Sequence, residues 1–256
     1  MRRTIALLLF CVAFAAAAGI APAAGVEIFQ DEIHETYEAD GAALATLDAV
    51  FPRLAGMANP EAIERVNAAI RAHILTKGEY DNIRGYALDD FTNAPERFAE
   101  NVYGLTANAE AELLQGNTLL AVRYDFLLET GGPHPWDVIS AQHFDLSSGM
   151  PAALETLTHD PEALRARVAA WALRWIDENE FDAFDDVEAR ALEWPLENGL
   201  LTGEGLVAFY NEGELGPVSE GAAEVFISYA SLFDLLSSGL MHTRAVSVAY
   251  AAPGAA

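Results

Sequence analysis

The sequence predicts an α+β fold in which antiparallel β-sheet packs with a few isolated helices, in two small lobes. Runs of alternating apolar and polar residues cluster between 107 and 146 and again between 205 and 229. Two separate segments have apolar residues at helical spacing: 60–77 lies before the first run, and 161–175 lies between the two runs. Strand runs separated by isolated helices are typical of α+β proteins and not of doubly wound folds. Apolar residues make up 52% of the chain, which is enough for an ordinary core.

The first half begins with an acidic segment, 26–39, for which we predict an extended conformation. A helix follows, because Asn59 is a good N-cap and Pro60 suits the first helical position. Its apolar stripe has spacings of three and four residues and ends near Lys77 and Gly78; it consists of Ile63, Val66, Ile70 and Ile74. A second, short helix is predicted over 95–103.

Three strands are predicted in the middle of the chain. Residues 107–114 and 118–128 alternate on either side of a Gln-Gly-Asn turn, which favours a β-hairpin. The string Gly-Gly-Pro-His-Pro at 131–135 interrupts the pattern, and a third strand, 136–146, follows it. The turn residues 147–149 end that strand.

The second half starts with another capped helix at Asp160 and Pro161. Its apolar stripe is Leu164, Val168, Trp171 and Trp175, and we interpret both tryptophans as core residues. The remaining segments are an acidic connector at 177–188, strands at 205–210, 224–229 and 245–250, a loop at 211–221 and a short helix at 231–236.

The amino terminus has the pattern of a secretory signal peptide over residues 1–24. Arg2 and Arg3 precede an apolar run, and Ala21-Pro22-Ala23 is a plausible cleavage site; a retained membrane anchor is the alternative. We therefore expect a periplasmic or secreted bacterial protein, whose only cysteine, Cys11, lies in the leader. The predicted lobes are residues 25–130 and 131–240, followed by an extension at 241–256.

The charge of the chain narrows the choice of partner. It contains 14 basic and 39 acidic residues, which gives a formal net charge of −25. Such a field repels phosphate backbones and anionic lipid, so we expect no nucleic-acid partner and no membrane contact beyond the leader. It favours a basic protein partner. The oligomeric state is left open.

The sequence contains no catalytic signature, and we predict neither a catalytic residue nor a cofactor. His143 and Asp145 are two residues apart, so on a strand they share a face and are weak candidates for metal ligands. The alternative is that His143 is a half-exposed strand residue and that His134 bonds to loop backbone. The acidic run is not a calcium loop, because Asp182 occupies the position that requires glycine.

Several strings, in order, resemble the domain of unknown function 3298 family, DUF3298, which occurs in the lysozyme-sensing anti-sigma factor RsiV and in the peptidoglycan deacetylase PdaC. They lie at 51–56, 66–70, 131–135, 144–149 and 209–217, and the last runs on to 221–232. The resemblance implies an α+β fold in two packed lobes, with the 131–135 loop near their junction, and it implies lysozyme binding. We expect no anti-sigma role and no deacetylase domain, because no matching segment flanks the resemblance.

The sequence is compatible with three hypotheses about function. The first is a non-catalytic envelope module that binds a basic cell-wall hydrolase such as a lysozyme. Its expected contact residues are His134, Trp136, Asp137, Asp182, Asp185 and Asp186. The second is an envelope enzyme acting on peptidoglycan or another glycan, with carboxylates or the region of His134 and His143 as catalysts. The third is a structural envelope component.

Overall fold

The computed structural model describes residues 25–56, 59–114 and 116–236. The predicted leader with Cys11, the strand predicted at 245–250 and the extension at 241–256 lie outside the described residues. The described chain folds around two β-sheets.

The first sheet has six strands, in the same order in space as in sequence. They are β1 (Glu27–Ala39), β2 (Ala42–Ala55), β3 (Tyr103–Leu114), β4 (Leu119–Thr130), β5 (Trp136–Asp145) and β6 (Met150–Pro151). Neighbouring strands are antiparallel except β2 and β3, which run parallel. A parallel pair needs a crossover connection, and three helices supply it here.

The crossover helices are α1 (Pro60–Lys77), α2 (Tyr80–Asn93) and α3 (Pro95–Glu100). The α1 prediction is confirmed: the Asn59 side chain accepts a hydrogen bond from the Ala62 N–H at 3.3 Å. Most of the predicted stripe is fully buried, and Ile63 is partly buried against the same core. The α1 and α2 helices pack on one face of the sheet and form the first hydrophobic core with β1 to β5.

The second lobe combines a three-stranded antiparallel sheet with four helices. Its elements are α4 (Leu154–Leu157), α5 (Pro161–Glu178), α6 (Val187–Leu192), β7 (Gly199–Leu201), β8 (Gly205–Tyr210), β9 (Ala223–Ser228) and α7 (Tyr229–Leu232). Short 3-10 turns lie at 196–198 and 218–220. The buried side chains of α5, β8 and β9 form most of the second core, together with the fully buried Trp194.

The two lobes meet along β5. Ile139 and Ala141 of β5 pack against Phe209 of β8, and the Leu201 N–H donates to His143 Nε2 at 3.0 Å. Because β5 is a full strand of the first sheet, the lobe boundary that we placed at 130–131 falls inside that sheet, at the connection between β4 and β5.

The α+β prediction is confirmed, with several local corrections. The helix predicted over 95–103 ends at Glu100, because β3 begins at Tyr103. The helix predicted over 231–236 is α7, which ends at Leu232. The acidic segment 177–188 is not all connector, because its two ends belong to α5 and α6. Within the described residues, no helix is both long enough and apolar enough to span a membrane.

The two tryptophans of α5 are less buried than core residues. Trp171 and Trp175 are half-buried and pack against the edge of the second core. Trp175 contacts Phe181 at 5.5 Å between ring centroids, and the Arg174 guanidinium lies 5.3 Å from the Trp171 ring.

Candidate functional site

A groove of about 550 Å³ lies beside the 131–135 loop, where β4 ends and β5 begins. We call it the aromatic–acidic groove. It is lined by Glu79, Tyr86, Asp89, Asp90, Arg97, Leu128, Thr130, Trp136 and Val138. The α2 and α3 helices form one wall, and the ends of β4 and β5 form the other.

The loop that borders the groove is fixed in place by Gly131. Its N–H donates to the Val102 carbonyl at 3.1 Å, and its φ of +75° lies in the left-handed region. A Cβ on Gly131 would lie 2.3 Å from the Tyr103 hydroxyl oxygen. Any other residue would therefore strain the loop backbone and displace the Tyr103 ring.

A buried carboxylate holds the helical wall of the groove against the sheet. Asp90 is 7% exposed, accepts a hydrogen bond from the Tyr103 hydroxyl and forms an ion pair with Arg97 at 3.0 Å. Burial, followed by the hydrogen bond to Asp90, raises the pKa of Tyr103. The Tyr103 ring also stacks on Phe98 of α3, at 5.6 Å between centroids. The groove is thus built on a packed, hydrogen-bonded base.

The open part of the groove presents aromatic rings and negative charge. Tyr86 is 53% exposed and Trp136 is 48% exposed, although large aromatic side chains are usually buried. Glu79 and Asp89 are exposed acids of the lining, and Arg97 is its one basic residue, paired with Asp90. Glu79 and Asp89 accept hydrogen bonds from the neutral side chains of Asn82 and Asn93 and so keep their negative charge. Carboxylates beside aromatic faces attract cationic side chains.

The predicted residues of the loop lie at or near this groove. Trp136 lines it, and His134 is exposed in the loop. Asp137 points its N–H at the Glu212 carboxylate, at 3.4 Å, so the 211–221 loop reaches the same surface. Burial raises the pKa of Asp137, and the nearby Asp125 charge adds to this effect. Burial and the Asp137 charge likewise raise the pKa of Glu212.

The predicted acidic run touches the other side of the 211–221 loop. The Asp182 N–H approaches the Glu220 carboxylate at 3.4 Å, and a Cβ on Gly216 would lie 2.3 Å from the Asp182 carbonyl oxygen. Asp185 is exposed. Asp186 pairs with Arg190 at 2.6 Å, and this hydrogen bond lowers the pKa of Asp186. One loop therefore contacts both segments that we expected at a partner surface.

The two weak metal candidates are engaged by protein groups. His143 is fully buried in the lobe junction, its Nε2 accepts the Leu201 N–H, and burial lowers its pKa to about 4. Asp145 accepts hydrogen bonds from Ser147 Oγ and Ser148 N, which lower its pKa and close the turn after β5. Within the described ranges, no group of three or more histidine, cysteine or acidic residues is placed to hold a metal ion.

A second concavity, the interlobe cleft, encloses about 600 Å³ between α1, the middle of β5 and residues 151–155 and 196–199. In it His73 Nε2 lies 2.8 Å from Ser140 Oγ. Burial, followed by the charge of Lys77, lowers the pKa of His73 to about 4. A general base works best with a pKa near the working pH, so this imidazole is a weak base toward the serine.

A histidine–carboxylate pair, one of the arrangements that would suit the enzyme hypothesis, occurs outside this cleft. His34 Nδ1 lies 2.5 Å from Asp48 Oδ1, and the two side chains are 73% and 52% exposed on β1 and β2. Neither residue lines the interlobe cleft. The pair is therefore in contact with water, where electrostatic stabilisation of a transition state is small.

The fold and the groove define an α+β domain with a charged, aromatic surface groove, and solved structures share this fold. A DUF3298 family member from Bacteroides fragilis matches with a TM-score of 0.65 and 18% identity, covering 85% of this chain and 96% of that one. A DUF3298 family protein from Pseudomonas aeruginosa matches with a TM-score of 0.52 and 16% identity, over the same shares. No protein-family model matches the sequence, and no curated protein matches it. The chain thus has the fold of DUF3298 structures, as the resemblance implied, whereas the link to RsiV and PdaC stays a prediction.

Proposed function

We propose that this protein is a non-catalytic, exported envelope module that binds a basic protein, such as a lysozyme-type cell-wall hydrolase, through the aromatic–acidic groove. The single observation that carries the proposal is the pairing of two half-exposed aromatic rings, Tyr86 and Trp136, with the exposed acids Glu79 and Asp89 in one groove. An arginine or lysine of the partner would lie against the rings and near the carboxylates.

The charge of the chain supports a basic partner. A net charge of −25 raises the encounter rate with a cationic protein and discourages anionic ones. Asp137, Glu212 and Asp182 extend the negative surface from the groove along the 211–221 loop. In this proposal the groove supplies specificity, and the wider acidic surface supplies the rate of association.

The test is a calorimetric titration of the purified protein with a c-type lysozyme. A basic protein of equal charge and unrelated shape serves as the control. We expect saturable lysozyme binding that persists from about 50 to about 150 mM salt, where the Debye length falls to about 8 Å, and no saturable binding of the control. Equal binding of both proteins that disappears with salt would contradict the proposal, because it would reflect net charge alone.

A further inference from the structure

The interlobe cleft lies beside a stretch of β5 whose outer edge is not paired with another strand of the sheet. It shares no lining residue with the aromatic–acidic groove. The stretch is bounded on one side by Ile139, whose N–H donates to Asn211 Oδ1 at 2.6 Å and whose carbonyl accepts from Asn211 Nδ2 at 3.3 Å. It is bounded on the other side by His143, whose carbonyl accepts from the Ala152 N–H at 2.8 Å.

Ala141 lies between these two hydrogen-bonded residues. The register of β4 and β5 is continuous from Trp136 to Asp145, so backbone groups alternate regularly between the two sides of β5. Ala141 therefore directs its N–H and C=O away from β4, as Ile139 and His143 do. Neither group has a hydrogen-bond partner in the part of the chain that the structure describes. Ala141 is also one of the residues that line the cleft.

Asn211 shows which chemistry fits such an opening. A primary carboxamide carries a donor and an acceptor side by side, and that of Asn211 pairs with both backbone groups of Ile139. Ala141 presents the same two groups, in the same orientation, two residues further along. A second carboxamide would pair with Ala141 in the way that Asn211 pairs with Ile139.

The surroundings of Ala141 favour a neutral, partly apolar molecule. The buried polar groups of the cleft are uncharged: His73 is neutral at pH 7 because its pKa is about 4, and it is bonded to Ser140. Of the charged lining residues, Lys77 is half-buried and pairs with the exposed Glu197 at 3.6 Å, and Glu155 is exposed. Apolar side chains complete the lining; they include Pro151, Ala152, Leu154 and Leu196.

We propose that the interlobe cleft binds a small neutral molecule that carries a primary carboxamide on an apolar group, with the carboxamide paired to the backbone N–H and C=O of Ala141. This site is independent of the proposed function, since it uses a different concavity and a different ligand chemistry.

The first test is a titration of the full ¹⁵N-labelled protein with benzamide, followed by amide chemical shifts. We expect a saturable shift of the Ala141 N–H, with smaller shifts at Ser140 and Gln142 and none at Trp136. N,N-dimethylbenzamide has the same ring and carbonyl but no N–H donor, so we expect it to bind about tenfold more weakly or worse. Absence of a saturable Ala141 shift, or equal binding of the two compounds, would overturn the proposal.

Variants provide the second test. Ala153 is exposed and lines the cleft, so Ala153→Trp fills the space with little change to the core. Ala43 is also exposed, on β2 of the first sheet, and Ala43→Trp is the matched control. We expect benzamide binding to be lost in the first variant and kept in the second. Unchanged binding in Ala153→Trp would show that benzamide binds elsewhere; if that variant does not fold, the comparison of the two compounds decides alone.

Discussion

At the scale of single residues, the base of the groove depends on one buried hydrogen bond. The Tyr103 hydroxyl donates to Asp90, a buried carboxylate that also pairs with Arg97. A carboxylate that loses a donor in a buried position destabilises the folded state, whereas the Tyr103 ring can keep its contact with Phe98.

We therefore expect Tyr103→Phe to lower the free energy of unfolding by about 1 to 2 kcal/mol, measured by urea denaturation. Tyr86→Phe is the control, because the Tyr86 side chain is half-exposed and the change there should be within about 0.5 kcal/mol. Equal stability of Tyr103→Phe and the unchanged protein would show that the Tyr103 hydroxyl does not stabilise the helical wall of the groove.

His143 and His73 make the stability depend on pH. Both have a pKa of about 4 in the folded protein, mainly because of burial, against 6.5 in the unfolded chain. Below pH 6.5 the unfolded chain binds protons that the folded chain does not. The contribution of the two histidines to the free energy of unfolding is therefore fully present above pH 6.5. It is lost as the pH falls toward 4, by about 3 kcal/mol for each histidine.

The variant His143→Gln isolates one of these contributions. We expect His143→Gln to be less stable than the unchanged protein at pH 7.5, because the substitution alters a buried hydrogen bond. We expect this difference in unfolding free energy to shrink steadily from pH 6.5 to 4, as the unchanged protein loses its histidine contribution. A difference that stays constant across that range would mean that His143 titrates normally in the folded state.

At the level of the elements, β6 pairs with β5 only at Phe144 and Asp145, and near Ile139 the edge of β5 is held by a side chain instead. Asn211 pairs with both backbone groups of Ile139 and so ties the 211–221 loop to the first sheet. The same loop contacts Asp137 and Asp182, so its position decides the shape of the acidic surface.

We expect Asn211→Ala to lower the free energy of unfolding by about 1 to 3 kcal/mol and to speed hydrogen exchange at the Ile139 amide. In the control Asn93→Ala, the side chain removed is exposed and donates a hydrogen bond to Asp89. That change should cost no more than about 0.5 kcal/mol. Unaltered exchange at Ile139 in Asn211→Ala would refute a structural role for the carboxamide.

The elements that could be predicted from the sequence are those whose apolar residues, at helical or alternating spacing, are the residues that become buried. The α1 stripe and the β3–β4 hairpin are such cases. The β2 strand was missed because Pro52 interrupts its pattern; Pro52 is tolerated because the pairing of β2 with β3 covers only 46–50. The α2 helix was missed because Asp90 stands in its buried stripe, and only the tertiary partners Tyr103 and Arg97 make that position possible.

The candidate site was predictable only in part. Trp136 and its loop stood out in the sequence, because the Gly-Gly-Pro-His-Pro string is locally distinctive. Tyr86, Glu79 and Asp89 were missed, since they lie about fifty residues earlier in an unpredicted helix and reach the loop only through the β2–β3 crossover. The available signal was Tyr86, an aromatic residue that α2 exposes near acidic residues. This signal can be recognised only when the helix itself has been predicted.

At the scale of the whole molecule, the dominant property is a net charge of −25. Self-repulsion of this size opposes the compact state, and Asp125, Asp137 and Glu212 concentrate it near the lobe junction. Added salt screens such repulsion over distances beyond the Debye length.

We therefore expect the thermal unfolding midpoint at pH 7.5 to rise between about 20 and 200 mM sodium chloride. Tetramethylammonium chloride, whose cation is a poor carboxylate ligand, is the control for specific sodium binding. A rise with both salts supports general screening. A midpoint that falls or does not change would contradict a fold limited by its own charge.

We propose that the aromatic–acidic groove, and not net charge, selects the partner, and two charge-matched double variants separate these alternatives. Glu79→Gln with Asp89→Asn removes two acids of the groove. Glu61→Gln with Glu64→Gln removes two exposed acids at the start of α1, beside the turn that ends β5 and at the opposite end of that strand from Trp136. Both variants change the net charge equally.

We predict that lysozyme affinity at about 150 mM salt falls tenfold or more in the first variant and less than twofold in the second. Equal losses in both variants would contradict the account.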